Sequence, residues 1–317
     1  MDNLLQGPLM AQEIQSKAQP VALTPDGLSL SSFVQGYWRL ADWQMTIQQR
    51  LDFLKQHIEL GITSVDHASI YGSPSCESLF GEALALEPSL REDIQIVTKC
   101  GIHLEGATDS KRVSHYTSSK TQILESVEKS LVRLKTDYLD LMLLHRPDFL
   151  LDADEVAEAF NSLRIQGKVR HFGVSNYSPS QFSLLQSRLE FPLATNQLEI
   201  NPVNLGVIHD GSLDQMQQLR TRPMAWSALA GGQIFTGDTP QLVRLRKVIS
   251  EIADEIGADS VDQVIYQWIL NMPSKPIIII GSGKIARLKS ALNSQKLSLS
   301  REQWYRIWVA STGHNVP

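Results

Sequence analysis

Four residues that can move protons stand at the ends of apolar runs: Asp66 and Tyr71 in VDHASIYG, Lys99 in TKC, and His145 in LLHRPD. Taken singly, each has an ordinary reading: a turn-forming aspartate, a lysine reaching for solvent, a histidine satisfied within the fold. Together they describe a reaction. A lysine ammonium beside a tyrosine favours the phenolate and lowers the hydroxyl's pKa from about 10. Such a tyrosine can give a proton to a carbonyl oxygen or take one from an alcohol. The aspartate compensates the buried lysine, since an unpaired buried charge is costly. A neutral histidine can donate to the same oxygen and orient the substrate. That set suits hydride transfer to an aldehyde or ketone, with the hydride coming from a cofactor.

The elements that must bring these residues together are legible as alternating patterns. Runs rich in β-branched residues recur eight times, at 32–36, 62–68, 94–100, 138–145, 169–176, 193–200, 223–229 and 276–281. Most are near-continuously apolar, as strands covered on both faces are. Segments of helical spacing lie between them. IQQRLDFLKQHIELG places Leu51, Leu54 and Ile58 on one stripe and stops at Gly61; SKTQILESVEKSLVRLKT does the same with Ile123, Val127, Leu131 and Leu134. Strand and helix alternating eight times predict a (β/α)8 TIM barrel, whose chemistry sits at the C-terminal ends of the strands. A doubly wound sheet is the competing pattern. Three pieces exceed a minimal barrel: a hairpin over 21–30 around Asp26 and Gly27 that could plug the N-terminal mouth, an extra helix over 239–257 before the last strand, and another over 300–313. No composition shift divides the chain, which predicts a loose extension over 1–19 and a single domain over 20–317.

The motifs VDHASIYG, TKC, LLHRPD, GVSNY, TNQLEINP, WSALAGG and IIIIGSGKIAR, in this order over about residues 20–317, resemble the aldo-keto reductase superfamily. HRPD, GVSNYSP and GHNVP look most like its YdhF-like bacterial oxidoreductases. By the resemblance, Asp66, Tyr71, Lys99 and His145 are the catalytic tetrad, and NADP(H) binds along the barrel rim without a Rossmann fold. Ser175, Asn176 and Gln197 would hold the nicotinamide carboxamide, with Trp226 stacked on its ring. Gly36, Tyr37, Trp38 and Arg39 would lie beside the ribose and substrate, and Asp66 near the nicotinamide end. Ser227, Leu229 and Gly231 would line the pyrophosphate. Ser282, Gly283, Lys284 and Arg287 would take the adenosine 2′-phosphate, with Gly281 a further cofactor-binding residue. Trp38, Tyr71 and His145 would shape the pocket for a small carbonyl substrate; the polar loop 101–120, an addition between Lys99 and His145, reads either as a substrate lid, since it leaves a catalytic strand, or as a disordered loop. Where many members contact adenine, this chain has Ser290 and Ala291, so that contact is not carried over.

The stretch IIIIGSGKIAR has the form of a dinucleotide turn, G-x-G after a strand. A Rossmann unit would need a second strand ending in an acidic residue about 20 residues on. The residues there, Arg301 and Glu302, lie in a helical pattern. The stretch therefore reads as the eighth barrel strand and the opening of its helix, where two cations and free N–H groups suit a phosphate.

The remaining readings bound the class. A formal net charge of −5 gives no basis for non-specific nucleic-acid binding, and no apolar run reaches the roughly 20 residues that span a bilayer. Cys76 and Cys100 cannot form a disulfide framework and read as free thiols in a reducing compartment. The N-terminus lacks the basic and apolar regions of a signal peptide. A soluble, cytoplasmic protein, monomeric by default, is expected. His103, His115 and Tyr116 lie in the 101–120 loop, but no metal-ligand spacing emerges. Two other functions fit the same residues: a cofactor-binding regulatory or redox-sensing protein with slow turnover, and a barrel enzyme using Lys99 as a Schiff base. Asp66 argues against the latter, because it would keep the lysine charged.

Overall fold

A computed structural model describes residues 16–25, 27–104 and 113–317. The first fifteen residues of the expected extension, the hairpin tip Asp26 and the middle of the 101–120 loop lie outside the described residues. Eight parallel strands close into a barrel in the order β10-β11-β12-β3-β4-β5-β8-β9. They are β3 (Phe33–Gly36), β4 (Ser64–Asp66), β5 (Gln95–Cys100), β8 (Leu139–Leu144), β9 (Val169–Ser175), β10 (Asn196–Glu199), β11 (Met224–Trp226) and β12 (Ile277–Ile280). Each falls within an expected run, and the doubly wound alternative is overturned by closure of the sheet. The runs were longer than the strands where the backbone turns. β11 stops at Trp226 because Ser227 is left-handed, with φ of 55°.

The helical stripes pack outside. The longer helices are α1 (Ile47–Glu59), α2 (Cys76–Leu84), α3 (Lys120–Leu134), α4 (Ala153–Ile165), α5 (Pro179–Gln186), α9 (Pro240–Ile256), α10 (Val261–Leu270), α11 (Ile285–Asn293) and α12 (Arg301–Thr312). Three shorter ones, α6 (Gly206–His209), α7 (Ser212–Gln218) and α8 (Gln233–Thr236), decorate the sixth and seventh units. Local chemistry starts these helices where they are needed. Thr46 and Gln49 form a capping box on α1, as do Ser178 with Gln181 on α5 and Ser300 with Gln303 on α12. α9 opens on Thr239 and Pro240 and ends at Gly257 in the left-handed conformation. α9 and α12 are the two extra helices.

β1 (Pro20–Ala22) pairs antiparallel with β2 (Ser29–Ser31). Leu23 and Leu30 of this hairpin are fully buried against Val34, Val97, Leu141, Leu143, Met224 and Ile277 from the barrel strands. The hairpin therefore floors the barrel. The chain is tied down just before it: the Ala18 N–H donates to the Leu60 carbonyl, and any side chain at Gly61 would strike the Ala18 carbonyl.

Within the barrel, alternation decides which residues reach the lumen. On β5, Val97 packs inward and Ile96 packs toward the helices, so Lys99 shares the inward face. Leu141 and Leu143 point inward on β8, and two residues on is His145. Val65 of β4 faces the helices, leaving Asp66 to the lumen. No helix among the described residues is long and apolar enough to cross a membrane.

Candidate active site

Three strand ends and one loop build the polar cluster. Lys99 is wholly buried, and its Nζ lies 2.8 and 2.7 Å from the two Asp66 carboxylate oxygens. The same ammonium donates to the His67 carbonyl at 2.8 Å and to the Tyr71 hydroxyl at 3.2 Å. Three N–H groups are thus divided among one carboxylate, one carbonyl and one phenol. Tyr71 arrives on the loop after β4, and its ring meets the His145 ring edge-on, centroids 5.7 Å apart. His145 is placed by its own N–H, which donates to the Cys100 carbonyl at 2.8 Å and continues the β5–β8 ladder.

The electrostatics follow from depth. Burial alone would lower the Lys99 pKa, but Asp66 and Tyr71 outweigh it and hold the group above its ordinary value. That direction favours the ammonium and argues against Schiff-base chemistry at Lys99. For Tyr71 the expected lowering does not win. Burial pushes the hydroxyl up, Lys99 pulls it down, and the net direction is up. The correction has a simple cause: desolvating a phenolate costs more than one neighbouring cation returns here. His145 is pushed well below the usual imidazole range by burial, then by Lys99 and Arg146, so it is neutral. Its Nδ1 is buried without a hydrogen-bond partner among the described residues, which favours the tautomer carrying hydrogen on Nε2.

A second network borders the first. Ser175 donates to the Gln197 carbonyl at 2.9 Å, and Asn176 donates to Ser175 Oγ at 2.8 Å. The Trp226 indole N–H donates to Asn176 Oδ1 at 3.0 Å. Asn176 takes a left-handed φ of 60°, steadied by Asn196, which exchanges hydrogen bonds with the backbone of Tyr177. Gln197 Nε2 reaches Asp66 Oδ1 at 2.8 Å, joining the two networks.

The rim loops hold the other expected residues. Gly36 ends β3, where a Cβ would strike Ile279, so glycine is required by strand packing. Trp38 is 59% exposed with the Arg39 guanidinium over its ring. Tyr37 does not stand beside them. Its ring is buried, stacked 4.9 Å from His67, with its hydroxyl 2.9 Å from His57 Nε2 on α1. Its side chain is a core element with five aromatic neighbours, Trp43, Phe53, His57, His67 and Phe80. Leu229 packs partly against the core. Ser227, Ala230, Gly231 and Gly232 all have positive φ, so the loop after β11 turns its backbone sharply, and Asn201 donates to the Ser227 carbonyl at 3.0 Å.

After β12, Gly281 has open space where a Cβ would be, whereas a Cβ on Gly283 would strike the Trp43 ring. Lys284 and Arg287 are exposed at the start of α11, and neither has an ion pair among the described residues. Ser282 Oγ accepts the Lys284 N–H at 3.3 Å. No side chain caps this helix, so its first N–H groups and two cations form a donor set suited to a phosphate. Ala291 is fully buried, and Ser290 is engaged with Ser260 and Asp262, so neither presents itself to a base.

Several contacts were not read from sequence. Arg146 stands over the Trp226 ring at 5.4 Å, and Asp148 accepts the Ser118 N–H at 2.8 Å, tying the 101–120 loop to the strand that carries His145. Both residues belong to the HRPD motif, which was the available signal. That loop begins and ends as a short hairpin, β6 (Ile102–His103) with β7 (His115–Tyr116), in which the two histidine rings stack at 5.1 Å. Among the described residues, no group of three or more His, Cys, Asp or Glu side chains is arranged to hold a metal ion.

The Aldo/keto reductase family model matches residues 33–310. Oxidoreductase YdhF of Escherichia coli is 52% identical over 299 residues, covering 94% of this chain and 99% of that one. A 6-dehydroglucose reductase of Agrobacterium fabrum is 37% identical over 300 residues, covering 94% and 99%. Among solved structures, an aldo/keto reductase from Klebsiella pneumoniae in complex with NADP and acetate superposes with a TM-score of 0.73 at 25% identity, over 90% of this chain and 94% of that one. A family match spanning nearly the whole barrel, on a chain whose Asp66, Tyr71, Lys99 and His145 converge at one rim, shows that this protein belongs to the aldo/keto reductase family and is an oxidoreductase.

Proposed function

We propose that the protein reduces an aldehyde or ketone to an alcohol at the expense of NADPH, with Tyr71 as general acid. The observation that carries this is the Lys99 ammonium shared between Asp66 and the Tyr71 hydroxyl, 3.2 Å away. When bound, the cofactor supplies the hydride. The residues do the rest. His145, neutral, donates one hydrogen bond to the carbonyl oxygen and holds it beside Tyr71. The Tyr71 hydroxyl, kept protonated at neutral pH by burial, gives its proton to that oxygen as charge develops. Lys99 stabilises the phenolate left behind, and Asp66 keeps Lys99 charged and in place. Ser175, Asn176, Gln197 and Trp226 are the expected nicotinamide seat. Ser227, Leu229 and Gly231 would flank the pyrophosphate. Lys284, Arg287 and the unfilled N–H groups of α11 would hold the 2′-phosphate, which selects NADPH over NADH.

Purified protein mixed with NADPH and a panel of aldehydes and ketones should consume NADPH, and Tyr71→Phe should not. Because one relative carries the name 6-dehydroglucose reductase, oxidised sugars such as 6-dehydroglucose belong on the panel beside aromatic and aliphatic carbonyls. Absence of turnover by the wild type, or equal rates for the two proteins, would sink the assignment.

A further inference from the structure

We propose that Gln197 is a positioning residue for proton transfer: by holding Asp66 from across the barrel, it links the nicotinamide seat to the Asp66–Lys99–Tyr71 network. This rests on the reductase reading above and deepens it.

β10, which carries Gln197, and β4, which carries Asp66, are diametrically opposite in the eight-stranded order, four steps apart in either direction. Yet Gln197 Nε2 lies 2.8 Å from Asp66 Oδ1, so this bond spans the lumen. Both side chains are almost completely buried, and a hydrogen bond to a buried charge is worth more than one in water. The amide's orientation is settled by its partner: a carboxylate only accepts, so nitrogen faces Asp66. Asp66 Oδ1 then receives two donors, Lys99 from one side and Gln197 from the other, while Oδ2 receives Lys99 alone. The carboxylate cannot rotate without breaking one of them. Lys99, in turn, is fixed by Asp66 and by the His67 carbonyl, and its longest bond is the one to Tyr71. A shift of Asp66 is therefore passed to the weakest link, the one that sets the acidity of Tyr71. On the other side, the Gln197 carbonyl accepts from Ser175, which accepts from Asn176. Gln197 Oε1 has no partner among the described residues and is left to accept from a carboxamide. Gln197 thus meets the seat through its backbone carbonyl and the proton network through its side-chain Nε2.

The test is a double-mutant cycle of Gln197→Leu and Asp66→Asn. Tyr71 is followed in the cofactor-free protein by NMR of tyrosines labelled at the ring carbon bearing oxygen, its signal identified by loss in Tyr71→Phe. Without the Gln197 donor, Asp66 draws Lys99 more strongly and Tyr71 loses part of its cationic partner. Its titration midpoint should rise by about half a pH unit or more, and the alkaline limb of carbonyl reduction should move with it. In the Asp66→Asn background, Gln197→Leu should cause no further shift. An unchanged Tyr71 midpoint in a folded Gln197→Leu protein, even with weakened NADPH binding, overturns the proposal, as do equal shifts in both backgrounds. Should Gln197→Leu fail to fold, Gln197→Glu keeps the length and replaces the donor by a carboxylate. It should raise the midpoint in the wild-type background and by less in Asp66→Asn; equal shifts in the two backgrounds overturn the proposal. If the wild type reduces no carbonyl, the reductase reading falls by itself, while the Tyr71 titration still decides the role of Gln197.

Discussion

Lys99 ties three members of the site together, its N–H groups reaching Asp66, the His67 carbonyl and Tyr71, while His145 meets the Tyr71 ring edge-on. Lys99→Met keeps the bulk and removes the charge. It should cut turnover by a factor of about 10² or more, as loss of a transition-state electrostatic partner does, and leave Asp66 as an uncompensated buried carboxylate. Circular dichroism at neutral pH checks that the fold persists; unaltered turnover would take lysine out of the mechanism. The pH profile follows from Tyr71. Its pKa is raised in the folded protein, so in the proposed mechanism the protonated acid is present across neutral pH and is lost only as pH climbs through that elevated value. Carbonyl reduction should therefore fall on the alkaline side, and Tyr71→Phe should lack that limb on whatever residual rate survives. The side-chain types and their order along the chain are legible in the sequence. The net direction at Tyr71 is not, because spacing along a chain carries no information about depth.

Elements decide where these side chains point and what the cluster rests on. Period-two alternation places Lys99 and His145 in the lumen, and the strand runs were legible because both strand faces are apolar. Tyr37 shows where such reading stops: it follows a strand end like its neighbours Trp38 and Arg39, yet its ring turns under the rim to stack on His67. Nothing in the tetrapeptide GYWR distinguishes inward from outward. That buried stack makes a stability prediction. Burial holds His57 at about 4, and burial followed by Lys99 holds His67 at about 3, both below the unfolded value near 6.5. The unfolded chain binds more protons between those limits, so stability is complete above about pH 6.5 and declines as pH falls toward 3 to 4. Each histidine contributes about 1.4 kcal/mol per pH unit in that window. Urea midpoints at pH 7.5 and 5.0 should show the loss, and His67→Phe should make the slope shallower. At the start of α11, Lys284→Ala or Arg287→Ala should weaken NADPH about tenfold or more while scarcely changing NADH, since a charge-assisted bond to phosphate is worth about 1.5–3 kcal/mol. Equal losses for both cofactors in a fluorescence titration would refute the phosphate assignment.

At the scale of the whole molecule, the barrel is a cup whose floor is the β1–β2 hairpin. The plug expected over 21–30 rests on the turn signal at Asp26 and Gly27, and the register Pro20 with Ser31 brings Leu23 and Leu30 under the strands. Leu30→Ala should cost about 2–5 kcal/mol of stability as a buried leucine lost to a cavity. Its turnover per folded molecule should hardly change, because the tetrad lies at the opposite end. A lower melting temperature with unchanged kcat would mark the hairpin as scaffold; a matching loss of kcat would not. The floor has one more consequence. With the lower end packed by the hairpin leucines and the lumen filled above them, any molecule that comes to Tyr71 approaches from the rim side alone.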